Sequence, residues 1–147
     1  MKLAKVKAKA VFDITEGDRI VIGSDTMVIK ENKILEKPKD KEDAKRMIND
    51  LKNTLHEVIT SLCCIIQKDG KVIEKSDYDK TKVYFADITD AEIDKWVQTG
   101  KCMDKAGAYA MQDEEFGVFV DKIEGNYTTV VGMPMHKLYK ILKEYLQ

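Results

Sequence analysis

Apolar and polar positions along this chain switch between the two-residue period of strands and the longer period of helices. The best-organised run is Ile20-Val21-Ile22-Gly23-Ser24-Asp25-Thr26-Met27-Val28-Ile29, two β-branched stretches around a small polar knot. It predicts a strand carrying one carboxylate. A buried, unpaired charge is costly, so Asp25 needs a partner. Gly23 and Ser24 leave backbone room beside it, as a phosphate or hydrated metal would require. A bulge closed by an Asx-type turn is the purely structural alternative.

The flanking segments supply further elements. Leu3, Val6 and Ala10 recur at helical spacing and predict an amphipathic helix over residues 2–11 with that stripe inside. Residues 13–18 form a polar connector. After the central strand, Glu31-Asn32 predicts a tight hairpin into Lys33-Ile34-Leu35, and Pro38 ends that return strand. Asp40 caps a helix whose apolar stripe is Ala44, Met47, Ile48 and Leu51. Residues 57–67 read as a long strand, turned by Asp69-Gly70 into a second through Val72 and Ile73. Lys82-Val83-Tyr84-Phe85 is a separate strand candidate.

Thr89 with Glu92 forms a capping box that opens a helix with Ile93, Trp96 and Val97 inside and Gly100 at its close. Residues 101–112 lack a clean period and read as loop or short helical turns. Residues 116–123 read as a buried strand broken by Gly125-Asn126. Pro134 opens a last helix with Leu138, Leu142 and Tyr145 on one face. Hairpins mixed with helices predict an α/β fold with a mixed sheet.

Composition narrows the function classes. The 147 residues suit a single domain, and their net charge of −1 lacks the basic excess of a nucleic-acid or membrane-surface binder. There is no run of membrane-spanning length and no signal pattern, which points to the cytoplasm. Cys63, Cys64 and Cys102 have no metal-ligand spacing. Adjacent strand residues point to opposite faces, so Cys63 and Cys64 should not pair. His56 and His136 read as structural or exposed.

Two aperiodic polar clusters remain as candidate chemistry. One is residues 23–26, with Lys37 just past the hairpin. The other is residues 104–112, where Lys105 before a small-residue stretch suits a phosphate, with backbone N–H groups beside it.

Ordered blocks now carry a resemblance. They are Leu3-Ala4-x-x-Lys7-Ala8, Ile22-Gly23-Ser24-Asp25-Thr26, Ile34-Leu35-x-Lys37-Pro38 and His56-Glu57-Val58-x-Thr60. Lys105-Ala106-Gly107-Ala108-Tyr109-x-x-Gln112 is the most specific, and Ile123-Glu124-Gly125-x-Tyr127-x-x-Val130-Val131-Gly132-x-Pro134 closes the series. In this order the chain resembles the Maf family of nucleoside triphosphate pyrophosphatases, once described as inhibitors of septum formation.

The resemblance implies an inosine-triphosphatase-like fold, an elongated mixed sheet flanked by helices. It implies hydrolysis of dTTP or UTP to the monophosphate and pyrophosphate, dependent on a divalent cation, Mg2+ or Mn2+. Asp25 would be the catalytic carboxylate and metal ligand. Lys7, Lys37 and Lys105 would face the triphosphate, with Thr26 and Gln112 near the pyrimidine. The implied partners are the nucleotide and a second copy in a homodimer, with no nucleic acid or membrane.

Three departures stand beside the match. The family's opening Ser-x-Ser-x-Arg-Arg pattern is missing, since the arginines are Arg19 and Arg46. Glu36 stands where the family usually has Gly, and Thr129 where it usually has Asn. The expectation is an N-terminally shortened domain, lacking the family's first strand, loop and helix. Its rival reading is an impaired relative that binds nucleotide or a protein partner without turnover.

Overall fold

Helix α1 (Lys2–Phe12) leads into the long strand β1 (Arg19–Lys30) in the computed structural model, which describes residues 1–146. Glu31 and Asn32, at φ 48° and 64°, turn the chain into β2 (Lys33–Leu35). That left-handed pair is the hairpin turn expected of Asn at this place. Helix α2 (Lys41–Leu51) follows, its first turn capped by the Asp40 carboxylate accepting from the Asp43 N–H. Strands β3 (Leu55–Lys68) and β4 (Lys71–Phe85) are joined at Asp69-Gly70, again with both φ positive.

Helix α3 (Asp90–Gln98) opens with the full Thr89–Glu92 capping box. A single 3-10 turn at Ala106–Ala108, a short α4 (Glu114–Gly117), β5 (Val120–Glu124), α5 (Tyr127–Val131) and α6 (Met135–Leu146) complete the chain. The five strands form one sheet in the order β2-β1-β3-β4-β5. β2 on β1 and β5 on β4 are both antiparallel, with Val28 opposite Leu35 and Val83 opposite Ile123. This is the helix-flanked α/β sheet that the sequence predicts. No helix of the described residues is long and apolar enough to cross a membrane.

The chain packs as two compact units, one of residues 1–26, 60–79 and 132 onward, the other of residues 27–59 and 80–131. In the first, alternate residues of β3 feed two separate cores. Cys63 and Ile65 pack with Ala4, Ala8 and Val21, while Leu62, Cys64 and Ile66 pack with Leu138 and Ile141. Cys63 and Cys64 are therefore free thiols in different cores, as the period of a strand requires. Burial pushes the Cys64 thiol up to about 11. The second unit is built on Ala44, Met47, Ile48 and Leu51 of α2 and an aromatic set of Phe85, Trp96, Tyr109 and Phe116.

Three sequence expectations are corrected. In α1 the inward residues are Ala4 and Ala8, and Leu3 and Val6 are more than half exposed. The helix lies so close to β1 that a Cβ on Gly23 would stand 2.3 Å from the Ala4 carbonyl oxygen and 2.7 Å from the Ala8 nitrogen. Only small side chains fit such an approach, so the larger apolar ones lose the buried face. Residues 116–123 are not one strand. Asp113 caps α4 by accepting from the Glu115 N–H, which turns Phe116 into the core and leaves Val118 outside. Lys82 to Phe85 are not a separate strand either, but the end of an unbroken β4.

Candidate functional site

The polar knot of β1 takes its form from the first unit. α1 runs beside the strand at the Gly23 approach, and Lys7 on that helix reaches the loop of charge at Asp25. Its ammonium donates to Asp25 Oδ1 at 2.8 Å and to the Ser24 carbonyl at 3.1 Å. The Asp25 side chain is 17% exposed and that of Lys7 56%. A half-buried carboxylate is thus matched by a cation held from solvent's side, which answers the charge problem posed by the strand. Oδ2 of Asp25 accepts from no described group, so one oxygen of the carboxylate stays open.

Neighbours of Asp25 are fixed in both directions. The Ser24 hydroxyl donates to the Gly132 carbonyl at 2.8 Å, and the Thr26 and Thr60 hydroxyls share a hydrogen bond of 2.9 Å. The buried Ser61 hydroxyl leans on the Asp25 carbonyl at 3.4 Å. Sequence reading did not single out Thr60, Ser61 or Gly132 as site residues. The signal available was that Thr60 and Ser61 interrupt an apolar strand with hydroxyls, and both are buried.

In the second unit the structure joins two more of the expected segments. The Gly107 N–H donates to the carbonyl of Glu36 at 3.1 Å, tying the loop after Lys105 to the residue before Lys37. Gly107 has φ 70°, and a Cβ there would press on the Val28 side chain at 3.1–3.3 Å, so this tie needs glycine. Lys37 is exposed and has no ion-pair partner among the described residues. Lys105 is held by Asp104 at 3.2 Å. Lys105 and the exposed Gln112 line one depression of about 400 Å3, with Lys101, Asp104, Ala110 and Asp113.

His56 lacks the setting of an acid-base group. His56 is buried, 2.8 Å from the Tyr109 hydroxyl, and burial with a smaller push from the Lys30 charge lowers it to about 3. His136 faces Asp79 at 3.6 Å.

No three His, Cys, Asp or Glu side chains converge among the described residues, so the chain offers no closed metal cage there. A lone carboxylate with one open oxygen fits a different arrangement. Mg2+ dehydrates reluctantly and is commonly held by one or two carboxylates together with substrate phosphates and water. Asp25 has the donor chemistry for that role.

Comparison with known proteins adds an independent line. Residues 1–145 match the family described as Maf-like protein. A protein of Lachnoclostridium phytofermentans named dTTP/UTP pyrophosphatase is 42% identical over 146 residues, covering 99% of this chain and 74% of that protein. One of the same name from Clostridium botulinum (strain Kyoto / Type A2) is 45% identical, covering 98% and 74%. Another from Thermoanaerobacter sp. (strain X514) is 43% identical over 143 residues, covering 97% and 73%.

Proposed function

Because the chain belongs to the Maf-like protein family, we propose that it is a nucleoside triphosphate pyrophosphatase that hydrolyses dTTP and UTP. The observation that carries the reading is the Lys7–Asp25 pair, which offers a carboxylate with one oxygen bound and one open. The relatives' shared name supplies the substrate class.

Asp25 Oδ2 takes a proton from water as the water oxygen bonds to the α-phosphorus. The bond from that phosphorus to the bridging oxygen of the β-phosphate breaks, and pyrophosphate leaves with the bond's electron pair. The nucleoside monophosphate keeps the water oxygen. Asp25 then returns its proton to solvent. Lys7 holds the carboxylate in place and adds positive charge where the phosphate oxygens arrive.

Lys37 and Lys105, on two loops joined within the second unit through Gly107 and Glu36, offer cations suited to phosphate oxygens. Thr26 and Gln112 offer neutral hydrogen-bonding groups, suited to a pyrimidine edge. Asp25 would hold a divalent cation, Mg2+ or Mn2+, which supplies charge neutralisation on the phosphates when bound.

Product identity tests the reading. Incubation with UTP should yield UMP and pyrophosphate in equal amounts, separated by anion-exchange chromatography. UDP with orthophosphate, or no product, would overturn it.

A further inference from the structure

Tyr109 lies in the middle of the loop that carries Lys105 and Gln112, yet the reaction above gives it no task. It is buried, with its ring edge-on to Phe85 and its hydroxyl 2.8 Å from His56 Nε2. His56 is itself buried and stands edge-on to Phe85 at a centroid separation of 4.7 Å. Its other ring nitrogen, Nδ1, is buried with no hydrogen-bonding partner among the described residues. If Tyr109 donates to Nε2, only the Nδ1 N–H is left unpaired. If Nε2 donates instead, both Nδ1 and the phenolic proton are left over. Tyr109 is therefore the donor.

An aromatic core of this shape does not need a polar pair, since phenylalanine packs as well and desolvates nothing. What the pair adds is direction. Gly107 and Ala108 both have positive φ, 70° and 62°, and alanine enters that region only when its surroundings hold it there. Three tethers do so. Gly107 donates to the Glu36 carbonyl, the Trp96 indole donates to the Ala108 carbonyl at 2.9 Å, and Tyr109 donates to His56. The third is the tether nearest Gln112.

We propose that His56 and Tyr109 are positioning residues whose hydrogen bond sets the register of residues 105–112 and so aims Lys105 and Gln112 at the bound nucleotide. The identity of that ligand rests on the function proposed above. The pair touches neither substrate nor reacting atoms. It acts through the loop backbone.

Tyr109→Phe keeps the ring and removes only the hydroxyl. The full chain and this variant are titrated with a UTP analogue bearing a methylene between the α- and β-phosphates. Amide hydrogen exchange is followed over residues 105–112. Binding should weaken about five- to tenfold, the equivalent of one neutral hydrogen bond, and exchange in the loop should quicken. His56→Gln retains an acceptor for the hydroxyl and should bind the analogue more tightly than His56→Leu.

A Tyr109→Phe variant that melts lower but binds as the wild type does would overturn the proposal, as would equal binding by the two His56 variants. A wild-type chain that binds the analogue yet releases no pyrophosphate from UTP would refute the proposed activity alone, and the binding ratio would still decide the positioning claim. A chain that binds no nucleotide would refute both.

Discussion

Lys7 Nζ stands 2.8 Å from Asp25 Oδ1, across eighteen residues of chain, and the same ammonium also meets the Ser24 carbonyl. The contact joins a helix to a strand beside the close backbone approach at Gly23. The second carboxylate oxygen accepts from no group among the described residues.

Asp25→Asn keeps the size and the contact to Lys7 but removes the base. Loss of general-base action should lower kcat for UTP by about a hundredfold or more. The initial rate of pyrophosphate release at saturating UTP measures it, and a near-wild-type rate would reject the assignment.

Lys7→Met removes the cation and leaves its partner alone. The ammonium is more than half exposed, but the Asp25 side chain is only 17% exposed, so the variant strands a largely buried carboxylate. It should melt a few degrees below the wild type. Its kcat/KM should also fall about tenfold or more, because the proposed site loses a cation beside the phosphates. Thermal unfolding and steady-state kinetics on one preparation check both halves.

Gly23→Ala tests the close approach itself. The added methyl meets backbone of Ala4 and Ala8, which cannot swing aside as a side chain would. A loss of about 1–3 kcal/mol in unfolding free energy follows from such overpacking. Urea denaturation measures it. Because α1 carries Lys7, turnover should fall in the same variant.

How much of this was legible depended on whether the cause was local. The Asp40 cap, the Thr89–Glu92 capping box and the Glu31-Asn32 turn are decided within four residues, and all three stand as the sequence indicated. The inward face of α1 was not local. Leu3 and Val6 are the more apolar residues, but the glycine opposite them on another element selects Ala4 and Ala8. Phe116 likewise reads as strand by composition and becomes helical because Asp113 caps the turn before it. The site behaves the same way. Asp25 announces itself as a carboxylate in an apolar strand, whereas its pairing with Lys7 and the Gly107–Glu36 tie depend on tertiary packing that no spacing rule encodes.

The buried His56 gives a pH signature. Burial holds the ring neutral down to about 3, against 6.5 for an unperturbed histidine. Below that higher value the unfolded chain takes up a proton the folded chain refuses. Stability present above roughly pH 6.5 is therefore lost as pH falls, by up to about 1.4 kcal/mol per pH unit until near pH 3. His56→Gln removes this component, so its unfolding free energy should fall less steeply than the wild type's between roughly pH 6 and pH 4. Equal slopes in urea denaturation would show that His56 protonates within the fold.

Substrate choice is the most demanding test of the proposed site. The Thr26 hydroxyl is held 2.9 Å from the Thr60 hydroxyl, so its orientation is set before any ligand arrives. A group fixed in that way offers a ligand only its remaining hydrogen-bonding position, and a base edge that cannot meet it there loses that bond. The wild-type chain should favour UTP and dTTP over ATP and GTP in kcat/KM. Thr26→Val is nearly isosteric and removes the hydroxyl alone. It should lower kcat/KM for UTP by about tenfold or more, as expected for one lost hydrogen bond with a stranded partner, while the low purine rates stay where they were. The ratio of UTP to ATP activity is the quantity to follow. A purine preference in the wild type, or an unchanged ratio in the variant, would remove Thr26 from the pyrimidine site.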